Sequence, residues 1–283
     1  MFEGPNHDKD GSLGLTHPSR PISFFAAAAW TIAVGFVLQV AVQITDGARP
    51  GAAVDMVNLT ACFVLAYSVL LFAILRVYAP DASVREVLGV RVASPLATLL
   101  AVAAGVALCP ALGVVDDYMT KRFPPAQEDT DVIEKLLQAS TLAERIVLVV
   151  ALSVVIPLSK EIFFRGALFG GLRRGRAEGL AVLGSAAFFA MSQLDPRSFL
   201  TSLVLGLFAS WLRGRSGSIV PAALAVIAYN AAEVVPDVLG KGEVSFGPRV
   251  AVGGAVAAAV LSWGAGMIFA RDRRAETGRL LDA

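Results

Sequence analysis

Residues 142–172 read LAERIVLVVALSVVIPLSKEIFFRGALFGGL, and this stretch decides the fold class. It is apolar for longer than the about 20 residues a helix needs to cross the hydrocarbon core of a bilayer. Yet Lys160, Glu161 and Arg165 stand inside it. Ionisable side chains within a span are costly and rare, so each marks a functional position by default. On either side, further apolar blocks occupy 22–44, 56–75, 94–115, 178–195, 198–212, 218–236 and 249–270, separated by short charged segments. Backbone groups in hydrocarbon must be satisfied within their own segment, so each block predicts a helix. The fold class that follows is all-α, a polytopic membrane helical bundle of about eight transmembrane helices.

Composition agrees with that reading. Of 283 residues, 56% are apolar and 17% charged, with a mean hydropathy of +0.68. A soluble domain of this size carries more charge, because it has a surface to solvate. The connections are too short for a second folded domain. One multi-span membrane domain is therefore expected over 21–270, between a flexible cytoplasmic N-terminal tail at 1–20 and a basic cytoplasmic C-terminal tail at 271–283. The first block, Ile22 to Ile44, is too long for the apolar region of a cleaved signal peptide and reads as a retained signal anchor. A net charge of +1 gives no basis for a nucleic-acid partner and leaves the lipid bilayer as the expected one. Cys62 and Cys109 each sit alone in an apolar block, the pattern of packing residues. Among the 24 basic residues arginine greatly outnumbers lysine, and Ala, Gly and Val abound, a composition associated with GC-rich bacterial genomes.

The connections alternate in charge. Arg76, Arg85 and Arg91 follow the second block, Arg173, Arg174 and Arg176 the fourth, Arg213 and Arg215 the sixth, and Arg271, Arg273, Arg274 and Arg279 the last. The segment 116–135 is instead acidic, with Asp116, Asp117, Glu128, Asp129, Asp131 and Glu134. The positive-inside rule then places both termini in the cytoplasm and the 116–135 segment outside, in a cell (inner) membrane. An amphipathic piece from Asp131 to Ala139 leads into the fourth span and reads either as an interfacial helix or as an ordinary polar loop.

Within 142–172, Glu161 and Arg165 are four residues apart and share a helix face, so they can pair. Lys160 is rotated about 100° from Glu161 and needs another partner, for which Glu161, Asp195 and Glu233 are candidates. The fifth block ends in Phe188-Phe-Ala-Met-Ser-Gln-Leu-Asp195, and the seventh holds Val226 and Asn230, with Glu233 on the face of Asn230. Counted from the arginine clusters at about 1.5 Å per residue, Glu161, Gln193 and Asn230 lie roughly 18 to 25 Å from the inner face. Three spans thus bring polar groups to one level, where they can line a common cavity. Simpler roles compete at every position. Glu161 and Arg165 form an intrahelical salt bridge, Gln193 and Asn230 bond neighbouring helices, and Gly166, Gly170 and Gly171 allow close helix approach.

The string Lys160-Glu-Ile-Phe-Phe-Arg-Gly166 resembles the Glu-Glu-x-x-x-Arg motif of the CAAX-protease and bacteriocin-processing family of intramembrane proteases, also called the Abi family. Phe189-Ala-Met-Ser-Gln193 resembles its Phe-x-x-x-His motif, and Val226-Ile-Ala-Tyr-Asn230 its His-x-x-x-Asn motif. Gly206 and the string Arg215-Ser-Gly217-Ser-Ile-Val-Pro221 between them are also similar to the family. The likeness covers about 142–236, making spans four to seven a CAAX-protease-like core. In that family the paired Glu and the two His activate a water that attacks a peptide bond. The resemblance implies retained catalytic positions at Glu161, Arg165 and Asn230, and degenerate ones at Lys160, Gln193 and Val226.

Those departures bear directly on the chemistry. A general base must present a proton acceptor to the water it activates. Lys160 is a cation, Gln193 does not titrate, and Val226 can do neither. Both histidines, His7 and His17, lie in the N-terminal tail, so no span supplies an imidazole to zinc, and no cofactor or metal is expected. A Ser192–Lys160 nucleophile pair, in which a desolvated lysine activates the serine, rests on co-location of the two spans alone. The expected function is a membrane pseudoprotease that binds a transmembrane or lipid-modified peptide without cutting it, or supports an active paralogue. Two alternatives stand beside it: an intramembrane endopeptidase with altered chemistry based on Glu161, and a transport-related or lipid-binding component. No internal repeat favours the transporter.

Overall fold

The computed structural model describes residues 20–137, 139–239 and 246–281, and these contain helices and no strand. The helices are α1 Phe24–Ala48, α2 Met56–Tyr78, α3 Val84–Leu88, α4 Pro95–Arg122, α5 Gln127–Leu137, α6 Leu142–Arg174, α7 Glu178–Met191, α8 Pro196–Ser216, α9 Ile219–Val238 and α10 Pro248–Leu281. Six of them, α1, α2, α4, α6, α9 and α10, are long and apolar enough to cross a membrane. The chain is a multi-pass helical membrane protein. The fifth and sixth predicted spans are helices as well, but α7 has only 14 residues, and α8 carries Arg197 at one end and Arg213 and Arg215 at the other.

Helix starts coincide with side chains able to satisfy the free N–H groups of a first turn. Ser23 accepts from Ala26, Asp55 from Val57 and Asn58, Asp195 from Arg197, and Ser218 from Val220. Thr141 and Glu144 form a reciprocal capping box at the start of α6. Gly89 and Gly217 adopt the left-handed conformation that closes α3 and α8.

Boundaries differ from expectation at both ends of the acidic segment. No Pro or Gly interrupts 114–122, so α4 continues through Asp116 to Arg122, and Asp116 belongs to the bundle and not to a loop. The amphipathic piece begins earlier than Asp131, at Gln127, and Leu136 of α5 packs with Ala139 on Met56, Leu148 and Ala151. At the other end of the chain, α10 does not stop at residue 270 but continues to Leu281. Nearly all of the N-terminal tail, His7 and His17 included, lies outside the described residues.

Two apolar cores form the bundle. One joins α1, α2, α6 and α7 around Tyr67, Phe163, Phe164 and Phe189. Tyr67, Phe164 and Phe189 meet Phe163 or each other edge-on, with ring centroids 5.1 to 6.5 Å apart. The other joins α4, α8, α9 and α10 around Ala101, Leu205, Val226 and Phe269. Backbones approach closely here: a Cβ on Gly254 would lie 2.6 Å from the Ala107 carbonyl oxygen. Ile32, Phe36, Phe72, Val256 and Trp263 point outward, as lipid-facing side chains do. The candidate site sits on the seam between the two cores.

Candidate functional site

Helix α6 is not uniformly α-helical. Pro157 has no N–H to give, and around it the backbone opens into a π segment at Ala151–Val155, where the Ile156 N–H reaches the Ala151 carbonyl. A second π segment, Ile162–Leu168, ends with the Phe169 N–H on the Phe164 carbonyl. The α-helical turn between them, Ile156–Glu161, carries Lys160 and Glu161. Such π segments often mark functional sites, because each extra residue re-aims the side chains that follow.

The two neighbours point to different places. Lys160 lines a cavity of about 310 Å³ on the seam, together with Gln193 from the end of α7, Val226 and Asn230 from α9, and Asp116 from α4. Its ammonium donates to Gln193 Oε1 at 2.9 Å and lies 5.6 Å from the Phe63 ring centroid. An ammonium can only donate, so it fixes which way the amide is turned. The ion pairing expected for Lys160 is corrected here: among the described residues no carboxylate lies within 4 Å of its amine. Gln193 is held at the end of α7, and the next residue, Leu194, takes a φ of 56°, a conformation unfavourable for a branched side chain.

Glu161 is turned away from the cavity and fully buried. Its carboxylate lies 2.8 Å from Arg165, which is equally inaccessible. The contact is an ion pair by distance but lies off the line of a hydrogen bond, so neither carboxylate oxygen of Glu161 has a hydrogen-bond partner among the described residues. Arg165 is held on its other side, by donation to the Gly206 carbonyl at 3.3 Å and by the Phe189 ring, 4.2 Å from the guanidinium carbon. At Gly206 a Cβ would press on Ala186 at 3.1 to 3.2 Å, so glycine keeps α8 close to α7.

Asn230 lines the cavity, but its amide nitrogen donates to the Val226 carbonyl of its own helix at 2.7 Å. The hydroxyl of Ser192 donates to the Phe189 carbonyl at 2.7 Å, and Ser192 does not line the cavity, which removes the Ser192–Lys160 pair. The small-residue contacts are present: Leu88 covers Gly166, Ile22 covers Gly171, and the Val87 carbonyl lies beside Gly170.

Several residues at the site escaped the sequence reading. Arg213 donates to the Arg165 carbonyl at 3.2 Å and to the Leu88 carbonyl at 3.3 Å, tying α3 to the second π segment. Asp116, Thr201 and Tyr229 line the cavity with Glu233. Glu233 was legible from its spacing to Asn230. Asp116 is not, because its charged neighbours read as a loop.

Residues 142–232 match the family model for Rce1-like type II CAAX prenyl endopeptidases. This segment is similar to the Rce1-like family. No curated protein and no solved structure matches the chain. The Rce1-like segment contains all six motif positions, and the structure divides them. Lys160, Gln193, Val226 and Asn230 reach the cavity, whereas Glu161 and Arg165 pair behind its wall. Among the described residues, no group of three or more His, Cys, Asp or Glu side chains converges as metal ligands do.

Proposed function

We propose that this Rce1-like membrane protein is a pseudoprotease, holding a peptide in its cavity without hydrolysing it. One observation carries the reading. The carboxylate at the motif, Glu161, is sealed against Arg165 with no exposure, and Lys160, Gln193 and Val226 face the cavity in its place. A base must reach its water directly or through one further water. Lys160 engaged with Gln193 is a donor, Gln193 holds no titrating proton, and Val226 has no polar side-chain atom.

The cavity that remains is polar and belongs to a membrane protein, which suits a transmembrane or lipid-modified peptide, or a segment of an active paralogue. The alternation of arginine clusters supports an inner-membrane location with both termini cytoplasmic.

The test is incubation of the purified chain in proteoliposomes with lipid-modified and transmembrane reporter peptides, followed by mass spectrometry. The proposal expects intact peptide that co-purifies with the protein. New peptide ends that vanish in Glu161→Gln would establish the endopeptidase instead. Uptake of solute into the vesicles without peptide retention would favour the transport reading.

A further inference from the structure

The cavity carries charges of opposite sign that do not meet. Its acidic side is formed by Asp116 of α4 and Glu233 of α9, both outside the family-matched segment. Tyr229 lines the cavity beside them. The basic side is Lys160. Among the described residues none of the three forms an ion pair. Lys160 is bonded to a neutral amide, and Asp116 accepts one long bond, 3.5 Å, from Thr201. Arg197, whose charge also reaches Asp116, is engaged by Asp195 at 2.9 Å.

Placement orders these charges. Asp116 lies within the last two turns of α4, Glu233 within the last two turns of α9, and Ser198 in the first turn of α8. These helix ends lie together at the cavity, so the acidic side forms the mouth. Lys160, in the middle of α6, lies deeper. Charges without an ion-pair partner that face one cavity attract groups of opposite sign, and two carboxylates on its lining favour a cation between them. A ligand bearing both counter-charges would meet both sides at once. The volume of about 310 Å³ corresponds to on the order of ten waters, room for a small molecule or a short stretch of peptide.

We infer that the cavity binds a small zwitterion, a free amino acid or dipeptide, with its ammonium between Asp116 and Glu233 and its carboxylate on Lys160. The inference deepens the non-hydrolysing reading above and rests on it. Equilibrium dialysis of the full chain in detergent, using labelled alanyl-alanine, N-acetyl-alanyl-alanine and alanyl-alaninamide, tests it. Alanyl-alanine binds saturably, and each capped form binds at least about tenfold more weakly, the worth of one lost charged hydrogen bond. Glu233→Gln removes the discrimination against the acetyl cap, and Lys160→Met removes that against the amide. Absence of saturable binding, or equal affinity for free and capped forms, overturns the inference, and the wild-type comparison decides it if the variants fail to fold. Mass spectrometry of the same dialysate separates the two claims. Free alanine beside saturable binding overturns the pseudoprotease reading and sustains the site, whereas intact but unbound dipeptide overturns only the site.

Discussion

Replacing Arg165 by methionine removes three contacts in one step: the 2.8 Å pairing with Glu161, the bond to the Gly206 carbonyl and the packing over Phe189. What remains is a carboxylate with no exposure and no hydrogen-bond partner among the described residues. Breaking a buried pair by removing one partner costs about 3–5 kcal/mol, because the surviving charge is left uncompensated. Arg165→Met should therefore destabilise the protein by about that amount, and Glu161→Leu by somewhat less, since the guanidinium keeps Gly206 and Phe189. The double variant Glu161→Leu, Arg165→Met should recover most of the loss, because an apolar pair of similar volume incurs no desolvation cost. Unfolding in mixed micelles of dodecylmaltoside and SDS, read as a double-mutant cycle, measures all three. A cycle that closes additively, within about 0.5 kcal/mol, would show that the pair is not coupled and would refute the argument that it is a structural element of α6.

Further outcomes follow from other contacts. Gln193→Ala leaves the Lys160 ammonium without its acceptor and should cost about 1.5–3 kcal/mol, whereas adding Lys160→Met to it should restore stability; thermal unfolding of both variants checks the pair. Gly105→Ala drives a methyl into the Ala225 carbonyl of α9 and should cost about 1–3 kcal/mol despite alanine's better helix propensity, as measured in the same micelles. Hydrogen bonds from the backbone N–H groups of Asn58 and Val57 hold the Asp55 carboxyl below its ordinary 3.8, with Arg49 adding to the effect. The stability it gives is present above that value and lost as pH falls through the lower folded one, so Asp55→Asn should flatten the acid limb of a Tm-against-pH curve.

Much of the architecture follows from hydrophobic length, because bilayer thickness leaves a long apolar block little choice but a helix. That Lys160 and Glu161 diverge was legible, but not which of them faces the cavity: Glu161 was expected there with Gln193 and Asn230, and Lys160 takes that place. A rotation of about 100° between Lys160 and Glu161 is enough to send one into the cavity and the other into the wall. What stayed hidden depends on neighbours. The second π segment has no proline to announce it, and it accompanies the packing of Arg213 on the Arg165 carbonyl. Asp116 reads as loop from the charge density around it, although nothing near it breaks the helix. The partner of Lys160 was sought among carboxylates, whereas the nearer group was the amide of Gln193, at the position where the resembling family keeps a histidine.

That substitution pattern leads to the most direct measurement. Lys160, Gln193 and Val226 all face one cavity, and Lys160 and Gln193 already touch at 2.9 Å, so replacements at these positions should meet there. Cleavage of a lipid-modified reporter peptide is to be followed for the wild type, for Lys160→Glu, Gln193→His and Val226→His singly, and for all three combined. The account predicts no cleavage by the wild type or any single variant, and new peptide ends only with the triple variant. Cleavage by the wild-type chain, lost on Glu161→Gln, would contradict it.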